Sequence, residues 1–559
     1  MNEKNSSGGM ISKNLGEQPD EITAEPIDGE QLSEGARARA KKQPLLQRIL
    51  KNIGRGDGKF RELVIGRDFA ETRLAFLVDG KLEAFEVERA GERDWVGAIF
   101  KGRIQNLEPG LKAAFVITGQ ERNAFLHYWD MLPAANDSFE IVSGQRSGRE
   151  ITLDDIPRMY PVGAEILVQV TKSQIDGKGP RVTSNISLPG RYMILTPYDG
   201  RCGISRKIAD GKERDRLKGI VRSLALPSGM GAIVRTAGAG KRLKYFLRDL
   251  SLLLAEWKRI SEKVESMKEP GLLYREPELA ERAVRDFLTD DVDRIAVDCP
   301  ELFSRILEAA DGTVPRMRSR VQLYDAGEPI MEHFQAEKQI GRLFSRRLSL
   351  PSGGEIVIEE TEALVAIDVN TGSHRNRKKD GGSYILQVNL EAAEEIVRQM
   401  RLRSLGGLIV IDFIDMPSGA DQKKLQETVQ RLMAEDTERF QVLPISPFGT
   451  MQISRQRHGQ SLCRHIRRPC PYCDGRGTIE SARVTAVRSL AALRRAIRGS
   501  TAAGEKPRPV RLAVHPDVLQ VLKHSAQREL EKIESAGGLR LTISADEAIH
   551  RENFSIEGL

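Results

Sequence analysis

The sequence predicts a mixed α/β protein of several domains, one of them a small β-barrel. Three observations predict it. At 559 residues the chain is too long for one hydrophobic core, and at roughly 100–200 residues per domain it divides into about three to five. Between Ile99 and about Thr183, short apolar runs are punctuated by PG, TG and DGKG turns, the signature of a small barrel. From Gly354 to about Ile453, strand-like and helix-like periods alternate, as in an α/β layer.

The elements follow in order. Residues 1 to about 58 read as a disordered tail. Its first 35 residues are acidic, polar and Gly/Ser-rich, and it then turns basic in ARARAKKQPLLQRILKNIGRGDGK. That run suits either an RNA or membrane surface contact, or a solvated tail with one nascent helix. RELVIGRDFAETRLAFLVDGKLEAFEVER alternates apolar residues about a DG turn and reads as a β-meander. The barrel block follows, its loop lengthened by residues 136–155, to which no role is assigned. A helix is expected from Asp210 to Leu224, flanked by GISRKI and GAIVRTAGAGK. Residues 243–345 are mostly helical by period, with a strand at DRIAVD. The last 80 residues comprise a helix, the polar linker GSTAAGEKPRP and a small αβ unit.

Composition narrows the class. No apolar run reaches the ~18–20 residues of a membrane span, and the N-terminus has no apolar core for a signal peptide. Five cysteines form no disulfide framework, so a reduced, cytoplasmic protein is expected. The net charge of +7 favours a polyanionic partner only modestly.

The sharpest chemistry lies in the α/β block. EALVAIDVNTGSH and GGLIVIDFIDMP read as strands, and NLEAAEEIVRQMRLRSL between them as a helix with Ala393, Ile396, Val397 and Met400 on one face. Asp368 and Asp412 fall late in apolar strands, where a charge is costly unless it is paired or binds a cation. Asn370 shares a face with Asp368, whereas Asp415, three residues past Asp412, points away if the strand stays regular. Two carboxylates and an amide oxygen suit Mg²⁺ or Mn²⁺. The bland alternative has both aspartates capping turns or pairing with the arginines of RLRSL.

Three weaker signals accompany it. CPYCDGRG places Cys470 and Cys473 in a C-x-x-C knuckle, half of a four-ligand zinc site. Cys463 or His465 could complete it, or two chains could share one ion; a redox pair is disfavoured because no thioredoxin-like setting is evident. Six arginines from Arg455 to Arg476 crowd this region and suit phosphates or plain solvation. IVRTAGAGK can cradle a phosphate through backbone amides and a guanidinium, although it lacks Walker spacing. Phe115 and Phe125 in the barrel suit base stacking or a plain core, Phe115 within AAFV being the better core candidate.

AIDVNTG and RLRSLGGLIVIDFIDM resemble the catalytic core of the ribonuclease E/G family, and the resemblance extends from about Arg61 to the knuckle, more faintly beyond. It implies an RNase H-like subdomain split into 59–96 and 282–345, an inserted S1 barrel (97–185, an OB-fold), and a 5′-sensor domain (186–281). A DNase I-like catalytic domain (346–466), a zinc link (467–479) and a small oligomerisation domain (480–559) would follow. It also implies a Mg²⁺-dependent endoribonuclease of RNA processing, mRNA decay and rRNA maturation, with Asp368 and Asp412 holding the ion and Asn370 assisting. Water attack would leave 5′-phosphate and 3′-hydroxyl ends on single-stranded, AU-rich RNA. Phe115, Phe125 and Lys178 match RNA-contacting positions. Arg235 and Thr236 match a pocket for a 5′-monophosphate, and Arg206 aligns beside it. Cys470 and Cys473 fall in a segment where two subunits share Zn²⁺, which implies a homodimer and a dimer of such dimers. The long C-terminal scaffold some relatives use to recruit other enzymes has no counterpart, so the form expected is closer to ribonuclease G or to a bare catalytic half of ribonuclease E. The competing reading is a non-catalytic, zinc-bridged RNA-binding protein of ribosome assembly.

Overall fold

The structure is a computed structural model. It describes residues 28–41, 58–89, 91, 95–132, 139–143, 152–174, 179–208, 210–287, 292–313, 315–372, 381–434, 436, 438–456, 461–502, 509–538 and 540–558. The chain divides into two compact units, Met1–His465 and Ile466–Leu559. Among the described residues no helix is long and apolar enough to cross a membrane.

Among the described residues the first unit contains four sheets. The expected meander forms as Arg61–Asp68, Glu71–Val78 and Lys81–Arg89, paired antiparallel. Its sheet is completed by Arg294–Val297, parallel to the first strand, and then by Val321–Leu323. One sheet is thus built from segments about 200 residues apart, with everything between them inserted. Leu63, Ile65 and Leu74 meet Ala280, Ala283 and Ile306 in its core.

The expectation of a disordered tail through residue 58 is corrected at Gly29–Lys41, which is helical. Leu32 and Ala36 are buried, and Arg39 enters the protein to meet Glu62 at 2.8 Å and to lie 5.1 Å from the Phe334 ring. Polar composition hid this helix, because its stability comes from three inward residues and one buried ion pair rather than from a broad apolar face. The rest of the basic run, residues 42–57, lies outside the described residues.

The barrel closes as expected. Ile99–Glu108, Ala113–Ile117, Ala124–His127, Arg181–Thr183 and Glu165–Lys172 pair in that order, and the last returns to the first. Alternation directs Ala114, Val116, Ala124 and Leu126 inward and the residues between them outward. The lengthened loop is also corrected. Its Phe139–Ser143 segment leaves the barrel to form the edge strand of the next sheet, against Cys202–Ser205. Phe139 is buried there, and Glu140 pairs with Arg214 and Lys218 of the Gly211–Ser223 helix. That helix begins at an Asp210 cap, whose carboxylate accepts the Lys212 amide.

The fourth sheet runs Arg347–Ser349, Glu355–Glu360, Leu364–Asn370, Gly407–Asp412, Thr450–Arg455 and Phe440–Val442. The two central strands are parallel, joined by the Gly381–Leu402 helix as a crossover. Ala393, Ile396, Val397 and Met400 all point into the core, with Ile367, Ile409 and Ile411 of the sheet. In the second unit, Val510–Val514 pairs parallel with Leu541–Ala545 and antiparallel with Phe554–Glu557, against three helices.

Candidate active site

Register alone brings the two strand-end carboxylates together. Asp368 and Asp412 are direct partners across the parallel strands. The buried residues alternate as Val365, Ile367, Val369 and Ile409, Ile411, so both aspartates emerge on the opposite, exposed side. Asn370 follows on that side, and its amide nitrogen donates to Asp368 Oδ2 at 2.7 Å. That bond orients the carboxylate and leaves the Asn370 amide oxygen uncommitted by it. A hollow of about 250 Å³ lies over the pair, lined by Asp368, Asn370, Thr371, Asp412 and Asp415.

Asp415 belongs to that hollow, contrary to the alternation argument. The strand ends at Asp412, so the backbone turns and the period-2 rule stops applying. Asn389 makes the turn. Fully buried on the crossover helix, it donates to the Ile414 carbonyl at 2.8 Å and accepts the Ile414 amide at 3.1 Å. The sequence argument missed it; a lone Asn among the apolar face of NLEAAEE was the available signal.

The pairing of these aspartates with RLRSL does not occur. Arg401 bonds Glu83, and Arg403 is buried against Gln399 and the Ser345 carbonyl. Among the described residues Asp412 and Asp415 have no partner side chain, and no three His, Cys, Asp or Glu side chains converge to hold an ion by themselves. The hollow offers two carboxylates in register and leaves the remaining positions of a cation open.

On the barrel, Phe115 and Phe125 face each other directly on the outer side, with ring centroids 5.8 Å apart. Neither is core, which corrects the preference for burying Phe115. Two further aromatics, not anticipated from sequence, continue the row. His127 follows Phe125, and Trp129, 52% exposed, stacks on the His127 ring at 3.9 Å. Burial, and then the charge of Arg181, hold the His127 imidazole below its ordinary pKa, so the ring that stacks is neutral near pH 7. Lys178 lies outside the described residues.

The strands ending at Ser205 and Val234 run parallel, Ile204 beside Val234, so Arg206 and the Arg235–Thr236 turn leave the sheet at the same end. Arg206 and Thr236 are exposed. Arg235 is held by the Gly190 carbonyl at 2.6 Å and Asp286 at 3.1 Å. Burial raises the Asp286 carboxyl, but Arg285 and then Arg235 outweigh it and keep it below the ordinary value. The glycine turn is braced from behind, Glu213 accepting the Gly240 amide and Arg216 bonding the Lys241 carbonyl.

In the second unit, Cys470 and Cys473 sit in a tight knuckle with positive φ at Asp474, Gly475 and Gly477. Amides of Cys473 and Tyr472 hold the Cys470 thiol below its usual pKa, and the Gly477 amide donates to Cys473 Sγ at 3.3 Å. The knuckle is clamped within its own unit: His550 Nε2 donates to the Tyr472 carbonyl at 2.6 Å, and Arg476 meets Glu552 at 3.6 Å. Cys463 belongs to the first unit, where its thiol donates to the Leu343 carbonyl at 3.7 Å. Of the six arginines, Arg455 is buried on Asp436 at 2.8 Å and Arg464 bonds the Thr361 carbonyl, so these two are structural. Arg457 lies outside the described residues.

A family model described as the ribonuclease E/G family matches residues 187–458, and one described as the thioredoxin-like domain of RNase E/G matches 469–559. The second match corrects the view that the C-x-x-C lacks a thioredoxin-like setting, although the knuckle here precedes the first helix of that unit. Ribonuclease G of Escherichia coli K12 is 32% identical over 500 residues, 89% of this chain and 99% of the relative. Ribonuclease E of Haemophilus influenzae is 36% identical over 498 residues, 89% of this chain but 52% of the relative. Ribonuclease E of E. coli K12 is 40% identical over 423 residues, 75% of this chain and 39% of the relative. The chain thus spans about half the length, or less, of these ribonuclease E relatives.

Proposed function

The chain belongs to the ribonuclease E/G family, and from that premise we propose that it is an endoribonuclease whose catalytic centre is the Asp368–Asp412 hollow. The observation that carries the reading is the register pairing of two exposed carboxylates at strand ends, which the arginines of RLRSL do not neutralise because both are engaged elsewhere. Their donor set, all oxygen and open on one side, fits a divalent ion such as Mg²⁺. When bound, that ion supplies water activation and charge neutralisation at a phosphodiester.

The chain's own residues supply position. Asp368 and Asp412 would hold the ion, and Asn370 keeps Asp368 in one orientation through its 2.7 Å bond. Outward aromatics Phe115 and Phe125 would stack unpaired bases, each stack being worth about 1–3 kcal/mol, and Trp129 extends that platform. Double-stranded RNA presents no free base faces to such a platform, so single strands are the substrate. Hydrolysis would leave a 5′-phosphate and a 3′-hydroxyl. Arg235, Thr236 and Arg206, leaving one sheet end together, would read a 5′-monophosphate, with Asp286 and Gly190 fixing the Arg235 guanidinium. Cys470 and Cys473, with two thiols per chain, would share Zn²⁺ with a second copy and make a dimer, then a dimer of dimers.

Asp368→Asn and Asp412→Asn test the reading. Each should abolish Mg²⁺-dependent cleavage of a short single-stranded RNA while RNA affinity stays near that of the parent protein. Cleavage at the parental rate would remove the catalytic assignment. Tight binding by a parent protein that never cuts would favour a non-catalytic RNA-binding role.

A further inference from the structure

A second hollow, of about 570 Å³, adjoins the carboxylate pair and shares Phe413, Ile414 and Asp415 with it. Its outer wall is Phe448, 89% exposed. A phenylalanine that exposed usually marks a loose loop, but this turn is built. The Ser446 carbonyl accepts the Gly449 amide at 3.0 Å, and the Ser446 amide donates to the Thr450 carbonyl at 2.8 Å. Ser446 Oγ accepts the Phe448 amide at 3.3 Å and bonds Thr450 Oγ1 at 2.9 Å. Gly449, at φ +82°, lets the chain pass Asp415, whose Oδ1 would lie 3.1 Å from any Cβ placed there. Thr450 is the register partner of Asp412, so the ring stands two residues from the carboxylate end of the sheet. The opposite side of the hollow is polar: Asp415 has no partner among the described residues, and Gln422 is anchored on the Met416 carbonyl at 2.8 Å.

We propose that this hollow seats one unpaired nucleobase of the RNA, beside the phosphate at Asp368 and Asp412, with Phe448 as the stacking face and Asp415 accepting a base N–H. It rests on the proposed ribonuclease reading. The chemistry matches on both sides, because a base offers a flat π-face and a hydrogen-bonding edge. Position matches too, since a strand with its phosphate over the carboxylates must carry the adjoining base past the shared wall. Phe448 is a substrate-positioning residue that would fix the scissile bond in register.

Photocrosslinking of the full chain, without divalent ion, to single-stranded RNAs carrying 5-iodouridine at successive positions tests the seat independently of cleavage. The expected adduct is Phe448, from one RNA position within a nucleotide of the cut, and lost in Phe448→Ala. Adducts confined to barrel peptides overturn the proposal alone; no adduct at any peptide overturns it together with RNA binding. A kinetic cycle is the second arm. Removing that base from the RNA should lower kcat/KM about 10-fold for the parent protein. Phe448→Ala should lower it about as much on intact RNA and then be indifferent to the missing base, with Phe448→Trp restoring the difference. Equal sensitivity of parent protein and Phe448→Ala to the abasic site would overturn the assignment.

Discussion

At the scale of single residues, the candidate centre depends on where side chains are forbidden to pair. Among the described residues Asp412 carries no cation of the protein, so Asp412→Asn should cost at least about 100-fold in cleavage rate with little change in melting temperature. Asn389 has the opposite profile. It makes two buried hydrogen bonds to Ile414, and Asn389→Ala should cost about 2 kcal/mol in stability and loosen the Asp415 segment, measurable as a denaturation midpoint and a rise in KM. Asp286 makes a pH prediction. Its folded pKa is depressed, so the stabilisation it provides is complete above the unfolded carboxyl value, about pH 4, and is lost as pH falls below that. Preference for a 5′-monophosphate, compared with a 5′-hydroxyl RNA, should therefore not decline between pH 8 and pH 5 through this group. Asp368 and Asp412 were legible as positions because a charge interrupts an apolar alternation. Asp415 and Asn389 were not, because a chain that leaves its strand no longer obeys the strand's period.

At the scale of elements, local pattern and long-range pairing separate cleanly. The meander, the Gly211–Ser223 helix and the crossover helix are written in periodicity and a cap, and they form where the pattern places them. The Phe139–Ser143 strand was not legible, since its partner, Cys202–Ser205, lies some 60 residues away and nothing local names it. The same holds for Gly29–Lys41, whose anchoring partner is Glu62 on the neighbouring sheet. Arg455 shows how a basic cluster misleads. Its guanidinium is buried on Asp436 and the Leu405 carbonyl, so Arg455→Ala should cost about 3 kcal/mol or more in stability. The salt dependence of RNA affinity should not change, because no phosphate contact is lost. A reduced salt slope with an unaltered melt would show the arginine facing RNA instead.

At the scale of the whole molecule, the turn proposed to bind the 5′-phosphate and the sheet of the proposed catalytic centre belong to one unit and touch through Lys207. Its ammonium donates to the Asp436 and Glu438 carbonyls at 2.9 and 3.4 Å, and Asp436 holds Arg455 of the strand beside Asp412. Lys207→Ala should narrow the rate difference between 5′-monophosphate and 5′-hydroxyl substrates without slowing the latter. The second unit carries a separate prediction: Cys470→Ser with Cys473→Ser should release about one zinc per two chains and lower the mass in light scattering. Cleavage of RNA by the strand-end carboxylates, under the direction of the 5′ end, is the proposal on which the others depend. It is tested most directly by cleavage of one short, AU-rich single strand, with a 5′-monophosphate or a 5′-hydroxyl, with and without Mg²⁺. Internal cuts that require Mg²⁺ and run faster on the monophosphate are the predicted result; tight binding with no cut under any divalent ion would contradict it.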